Sequence, residues 1–494
     1  MERTLDRRKD LFLNDEFSSL QGKGSSYNNS SCKEEYGMTT SLTEGKPFSL
    51  IMNFMLPLLF GNLFQQAYNM ADTAIVGQTL GADALAAVGV SSSVQFLVLG
   101  FCIGIACGFA IPIATEFGAD RKSEMRRYVY HGAVITAIFA VVLTVVCALL
   151  CNAIITMLKA PAEIFDDSYR YLFIIFLGIP CTLLYNYVSA ILRAIGDSRT
   201  PFLFLAFSSV LNIFLDFFCI LVLKWGVGGA AFATIFSQGL SGILCLLVIL
   251  KKYEVLHIQK EERTFDKYHA MKMLNMGVPM GLQYSITAIG CMVMQTANNS
   301  LGTVYVSGFA AGSKINTMMQ CPFDALATAV CTFASQNYGY GDAKRIRQGF
   351  VVGAAAAIVW GIASGILMEL LAPDFVSIFV SADNEAVIAA GAQYLKTISK
   401  FFVVLGFLNV FRYSTQGLGW SRRAILSGVF EMIARILVSM ILVPKYGYTA
   451  VCFADPAAWI GADLYILPTC RLAYLNAVKV IEEEKRARSQ MKLA

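Results

Sequence analysis

Charge is scarce in this sequence: 15% of its 494 residues are charged, where an ordinary soluble domain carries roughly 25%, so a water-exposed globule is excluded as the main architecture. Histidine is scarcer still, with only His131, His257 and His269, and none stands in an H-E-x-x-H pattern that would set two metal ligands on one helix face. No nucleophile elbow is present either, so the sequence offers no catalytic constellation and an enzyme is not expected. The thirteen cysteines form no C-x-x-C pair; Cys102, Cys107, Cys147, Cys219, Cys245 and Cys291 stand singly in apolar stretches and read as small membrane-core residues. Residues 1–46 contain no apolar h-region, which excludes a signal peptide there, and their mixture of acids, bases, Ser, Asn and Gly reads as a disordered tail. A net charge of +5 requires no nucleic acid.

What the chain has in abundance is apolar surface: 56% of its residues are hydrophobic and the mean hydropathy is +0.59. A helix needs about 20 mostly apolar residues to cross the hydrocarbon core. Twelve such runs occur, at about 48–76, 85–115, 128–157, 170–192, 202–223, 227–250, 276–300, 306–335, 349–371, 387–412, 424–443 and 449–474. The predicted fold is therefore an all-α integral membrane protein of twelve spans, in contact with lipid on its outer faces.

Bases divide the connecting loops into two sets. One set holds Arg121, Lys122, Arg126 and Arg127, then Arg193 and Arg199, then the polar stretch 251–275, then Lys344, Arg345 and Arg347, then Arg422 and Arg423. In the alternate set, residues 77–84, 301–305 and 372–386 contain no base, and the others offer only Lys159, Lys224 and Lys445. Positive charge is retained on the cytoplasmic side during insertion, so both termini are expected in the cytoplasm and the protein in the cell membrane.

The sequence also repeats itself. Leu80-Gly81, Gly118, Gly226, Phe232 and Ala233 recur 221 positions later as Leu301-Gly302, Gly339, Gly447, Phe453 and Ala454. Tyr171, Asn186, Gly196, Ser198 and Arg199 recur, 223 positions later, as Tyr394, Asn409, Gly419, Ser421 and Arg422. Six spans return a chain to its starting side, so the two halves share one topology and are related by a pseudo-twofold along the membrane normal. The expected organisation is a tail over 1–47, an N-lobe over 48–250, a cytoplasmic linker over 251–275, a C-lobe over 276–475 and a cytoplasmic tail over 476–494. Two such lobes can rock around a central cleft, which favours a transporter over an enzyme without excluding a pore.

Polar groups interrupt the apolar runs in a pattern. In the first span Asn62, Gln65, Gln66, Asn69, Asp72 and Thr73 recur at steps of three and four and so line one face. Amide bonds between helices are worth only about 0.6–2 kcal/mol each, whereas a carboxylate at membrane depth costs several kcal/mol unless paired or hydrated; this face should meet a cavity. The fifth span places Asp216 four residues after Asn212, with Ser209 on the same face. Two acids brought together in low dielectric cannot both ionise cheaply, so a shared site would hold a proton or recruit a cation. Asn186 in the fourth span and Thr234 in the sixth offer neutral oxygens to a hard cation such as sodium, with interhelical bonding the competing reading. In the second half, the spans over 276–300 and 387–412 contain no acid. Asp324 is a candidate for lining the cleft, with Lys314 only approximately on its face, and Glu431 with Arg435 at i,i+4 reads as a self-neutralising structural pair. Pro57 and Pro279, each four residues after an asparagine (Asn53 and Asn275), predict a bend in the first helix of each half.

Four stretches make the chain resemble the multidrug and toxic compound extrusion (MATE) family from about residue 48 to 475: DTAIVGQTLGADALAAVG after the first span, RAIGDSRTP at 193–201, GVGGAAFAT at 226–234 and ASQNYGYGDAKR at 334–345. The resemblance implies two six-helix lobes around a V-shaped cleft. It implies export of mostly cationic or amphipathic organic compounds, driven by entry of sodium or protons, with no cofactor and a single chain as the unit. In the branch with a cation site in the N-lobe, motif positions put that site on Asp72, Asn186, Asn212, Asp216 and Thr234, and a gating bend on Pro57. Gln65, Asn69 and Asp324 are the cleft-lining candidates from the residues themselves. Another branch has acids in the seventh and tenth helices; their absence here argues against a C-lobe cation site. The alternative reading is a flippase or exporter of lipid-linked or polysaccharide precursors, for which a strongly basic cleft would be the sign. Glu116 stands where the second half has Gln336, a difference the sequence does not explain.

Overall fold

A computed structural model describes residues 41–158, 160–380 and 384–491. Among these the regular structure is entirely helical, as expected where lipid cannot satisfy open backbone groups. The twelve spans, used below by ordinal, are Pro47–Leu80, Ala82–Gly118, Lys122–Met157, Ala162–Leu177 with Ile179–Ala194, Arg199–Phe217 with a π-helical turn, Val227–Lys252, Lys267–Asn299, Thr303–Tyr340, Ala343–Ser377, Glu385–Ser399 with Phe402–Gly417, Ser421–Leu437 with a π-helical turn and Val443–Tyr446, and Tyr448–Met491. Every expected span is present as a helix; among the described residues nine are long and apolar enough to cross a membrane, eleven with the bent fourth and tenth counted, and the eighth is the one outside that number. The helices overrun the apolar runs because they continue past the membrane into polar sequence, most of all in the twelfth, which carries residues 476–491 as helix rather than as a tail.

The repeat seen in the sequence is a repeat of backbone geometry. The fourth and tenth spans bend by 44° and 54°, at Gly178 and Phe401, which differ by the same 223 positions that relate Tyr171 to Tyr394. Pro180 accompanies only the first break, so the bend belongs to the repeat and not to proline. The π-helical turns Phe218–Val222 and Val438–Leu442 also match. Gly81/Gly302, Gly196/Gly419 and Gly226/Gly447 pair at φ 94/105°, 89/85° and 60/59°, in the left-handed region that favours glycine. The bends predicted at Pro57 and Pro279 are not breaks here: each proline lies inside one continuous helix.

The lobes meet along the second, seventh and eighth spans. A Cβ on Gly108 would lie 2.5 Å from the Gly277 Cα, and one on Gly104 would lie 2.6 Å from the Gly281 Cα, so these two helices touch backbone to backbone. Near the base-rich loops, Gly118 and Gly339 likewise press on the backbones of Gln336 and Thr115. There the Glu116 carboxylate accepts from Arg121 Nε at 2.6 Å and lies 3.8 Å from Lys272 Nζ of the seventh span. Gln336, set against Glu116 in the sequence reading, is one position out of register: the reciprocal Gly118–Gln336 and Gly339–Thr115 contacts make it the counterpart of Thr115. It donates from Nε2 to the Ala194 carbonyl at 2.8 Å and accepts the Leu42 amide at 2.9 Å. Both members of the unexplained pair therefore hold one lobe to the other at this end. Residues 41–46, expected to be the last part of a disordered tail, are instead docked: Leu42 is buried, and Arg345 donates to the Leu42 and Gly45 carbonyls. The rest of that tail, residues 1–40, lies outside the described residues.

The linker is held to the third span by charge. Arg126 donates to both Glu262 oxygens at 2.6 and 2.7 Å. His269 bridges Asp266 and Glu124, and His131 Nδ1 donates to the Arg127 carbonyl at 2.7 Å while its Nε2 accepts the Asp266 amide at 2.8 Å. Two of the three histidines thus converge with acids that sequence spacing could not connect, and their ring nitrogens already have protein partners. Burial would raise the Glu262 carboxyl, but Arg126 and the Gln259 amide outweigh it and hold it below its ordinary value.

Two predictions arise here. Gly108→Ala should lower the melting temperature of the purified protein by a few degrees through overpacking, while Gly89→Ala, with nothing within 4 Å of its Cβ, should leave it unchanged. Because the folded Glu262 is depressed, its contribution is complete above its unfolded value of 4.5 and is lost as pH falls through the lower folded value. Hydrogen exchange of residues 254–266 should therefore accelerate, beyond its intrinsic pH dependence, only as pH falls below 4.5, and should be fast already at pH 7 in Arg126→Ala.

Candidate functional site

The polar stripe of the first span faces a cavity of about 580 Å³ between the lobes, a size that suits a drug-like molecule. Asn62, Gln65, Gln66, Asn69, Asp72 and Thr73 all line it, as do Pro57, Asn186, Thr234 and Asp324. Second-span residues, Tyr185 and Arg193 of the fourth, Tyr284 of the seventh and Tyr413 of the tenth complete the wall. Asn212 and Asp216 do not line the cavity. They are fully buried behind it, on the fifth span just before its π-helical turn, a distortion that recurs at functional sites.

The first and fifth spans pack together and bring the Asp216 and Asp72 carboxyl groups close enough to interact. Neither can donate while ionised. Asp72 Oδ1, both Asp216 oxygens, Asn212 Oδ1 and Thr234 Oγ1 are buried without a hydrogen-bond partner, although buried polar atoms are normally satisfied. Five unpartnered oxygens of the type a hard cation selects thus lie on three neighbouring helices, together with the unpartnered Asn212 Nδ2. Two unit charges about 4 Å apart repel by roughly 4 kcal/mol at an effective dielectric of 20, about three decades in an equilibrium constant. The arrangement can hold a proton between the carboxyls or a cation against them. Asn186 is placed differently: its Nδ2 donates to the Thr182 carbonyl at 2.8 Å, while the Thr182 hydroxyl donates to Gln238 at 2.8 Å, so it combines a cavity position with a structural bond.

Sequence reasoning missed the tyrosines around the acids. Tyr68 lies within electrostatic reach of Asp72 and Asp216 and bonds to Gln65 and Gln238, and buried Tyr171 reaches both acids and Gln95. Tyr68 stands four residues before Asp72 on the same stripe, a signal that was available. In the C-lobe the Glu431/Arg435 pair is present at 3.1 Å but is not self-contained, which corrects the reading of an isolated pair. Arg412 also binds Glu431, Arg435 donates to Asp455 at 2.9 Å, and Tyr394 donates to Asp455 at 3.2 Å. Lys314 is not in the cavity wall with Asp324 and sits 5.5 Å from the Phe379 ring.

Comparison with known proteins places both lobes. The family profile described as MatE matches residues 57–218 and 279–441, one stretch in each lobe. The "Probable multidrug resistance protein YpnP" of Bacillus subtilis (strain 168) is 29% identical over 423 residues, covering 85% of this chain and 90% of that protein. The "Probable multidrug resistance protein NorM" of Thermotoga maritima is 25% identical, covering 88% and 93%. A solved structure described as the outward-facing conformation of a multidrug resistance MATE family transporter of the MOP superfamily superposes with a TM-score of 0.83 at 22% identity, covering 89% of this chain and 99% of that one.

If the carboxyls act as one site, Asp72→Asn and Asp216→Asn should each abolish saturable sodium binding or pH-dependent proton release by the purified protein. The double variant should lose no more than either single. Additive losses, read by titration calorimetry, would mean two independent sites.

Proposed function

The chain belongs to the MatE family of multidrug-efflux transporters, and on that footing we propose that it exports small, mostly cationic or amphipathic organic compounds in exchange for sodium or protons, by alternating access. The observation that carries the reading is the Asp72/Asp216 carboxyl pair, with its unpartnered oxygens: Asp72 stands in the wall of a cavity that a drug-sized molecule can fill, and Asp216 lies directly behind it. The incoming ion binds the pair, with Asn212 and Thr234 as neutral ligands and Asn186 at the margin. With the pair ionised, negative charge beside the cavity favours a cationic compound; ion entry neutralises it and weakens that hold. Because Asp72 belongs to the same helix as Gln65 and Asn69, the change is felt along the cavity wall.

The base-rich end is the cytoplasmic one in this reading, with both termini there and the protein a monomer in the cell membrane. The described state is closed at that end by the Glu116–Lys272 and Gln336–Ala194 contacts, which must part when the lobes rock to the inward-open state. Pro57 leaves the Asn53 carbonyl without a helix donor, giving the first span a place to bend in the transition.

Efflux of a fluorescent organic cation from proteoliposomes, with sodium and proton gradients imposed separately, tests the reading. Wild type should export under one or both gradients, and Asp72→Asn should lose gradient-driven export by at least tenfold with insertion intact. No export by wild type under either gradient overturns it.

A further inference from the structure

Asp324 is the second acid in the cavity wall, on the eighth span and so on the opposite lobe from Asp72. Protein surrounds it, yet its side chain is open to the cavity. Its Oδ1 accepts from Asn409 Nδ2 at 3.1 Å, and no salt bridge reaches it among the described residues. The base in electrostatic reach is Arg412, which is already committed, donating to Ser427 at 2.9 Å and to Glu431. Beside Asp324 stand two tyrosines whose hydroxyls meet at 2.7 Å, Tyr284 and Tyr413, both in the cavity wall. A carboxylate kept at membrane depth with one oxygen free is costly unless something charged visits it, and aromatic rings beside it add attraction for a cation.

Resting on the transport reading above, we propose that Asp324, with Tyr284 and Tyr413, is the subsite that takes the cationic group of the exported compound. The class it fits is a monovalent organic cation with aromatic or quaternary substituents. Ion and cargo then occupy different lobes: the coupling ion lies at Asp72 and Asp216 in the N-lobe, and the cargo's charge lies on the C-lobe wall. The plain alternative is a structural carboxyl bonded to Asn409. It predicts loss of stability on substitution and no selective effect on cation binding.

The test is tetraphenylphosphonium binding by purified full-length protein, measured by calorimetry beside ion binding at the Asp72 site. Asp324→Asn should weaken tetraphenylphosphonium at least tenfold, Asp324→Glu should restore most of it, and ion binding should not change. Thr328→Lys, which sets an ammonium group one turn from Asp324 in the same wall, should weaken the probe too, and it examines the carboxylate without removing it should Asp324→Asn not fold. Unchanged affinity in a folded Asp324→Asn or in Thr328→Lys overturns the subsite while leaving the transport reading standing. Absence of binding by wild type overturns both.

Discussion

Two carboxyl groups brought together where neither lipid nor protein supplies a cation are the constraint around which this molecule is organised. Removing a charge from water costs several kcal/mol in a protein interior, and a second like charge beside it adds to that cost. Asp72 and Asp216 are nevertheless together, and Asn212 and Thr234 also keep buried polar atoms without a partner. Such a group is stable only with a proton or cation from outside, so its occupancy is tied to the solutions the cavity meets. The polar face of the first span, which would be intolerable against lipid, becomes a cavity wall for the same reason.

Symmetry and its breaking divide the labour. The bends, π-helical turns and left-handed glycines recur in both halves and build the scaffold. Asp72 has no counterpart: the positions 221 and 222 residues later are Val293 and Met294, and Met294 is buried core. In the C-lobe four charged groups, Arg412, Glu431, Arg435 and Asp455, instead satisfy one another. Glu116 and Gln336 show the same principle on a smaller scale. One residue apart in the register of the repeat, both join the lobes, Glu116 by an ion pair with Lys272 and Gln336 by amide bonds.

Much of this was legible because its causes are local or periodic. Span length follows from bilayer thickness, the repeat markers Gly81, Gly196 and Gly226 and their partners occupy backbone positions that favour glycine, and Asp72 stands out by the cost of its setting. The 54° bend was not legible, since Phe401 carries no breaker signal, whereas Pro180 stands beside the 44° one. Nor were the ties of Arg412 and Asp455 to Glu431 and Arg435, which join different spans. Asp166, Asp167 and Arg170 hid the start of the fourth span at Ala162, because charges that the helix carries beyond the membrane resemble loop. Asn212 and Asp216 were identified as polar members of the site, but their position behind the cavity wall depends on how the fifth span packs on the first.

Difference infrared spectroscopy of the purified protein during a jump in sodium concentration or pH addresses the central claim most directly, because carboxyl stretching bands report protonation and cation contact at the acids themselves. The account predicts one carboxyl signal that follows ion binding and disappears in both Asp72→Asn and Asp216→Asn. A signal that persists in either variant would contradict a shared ion site between these two residues.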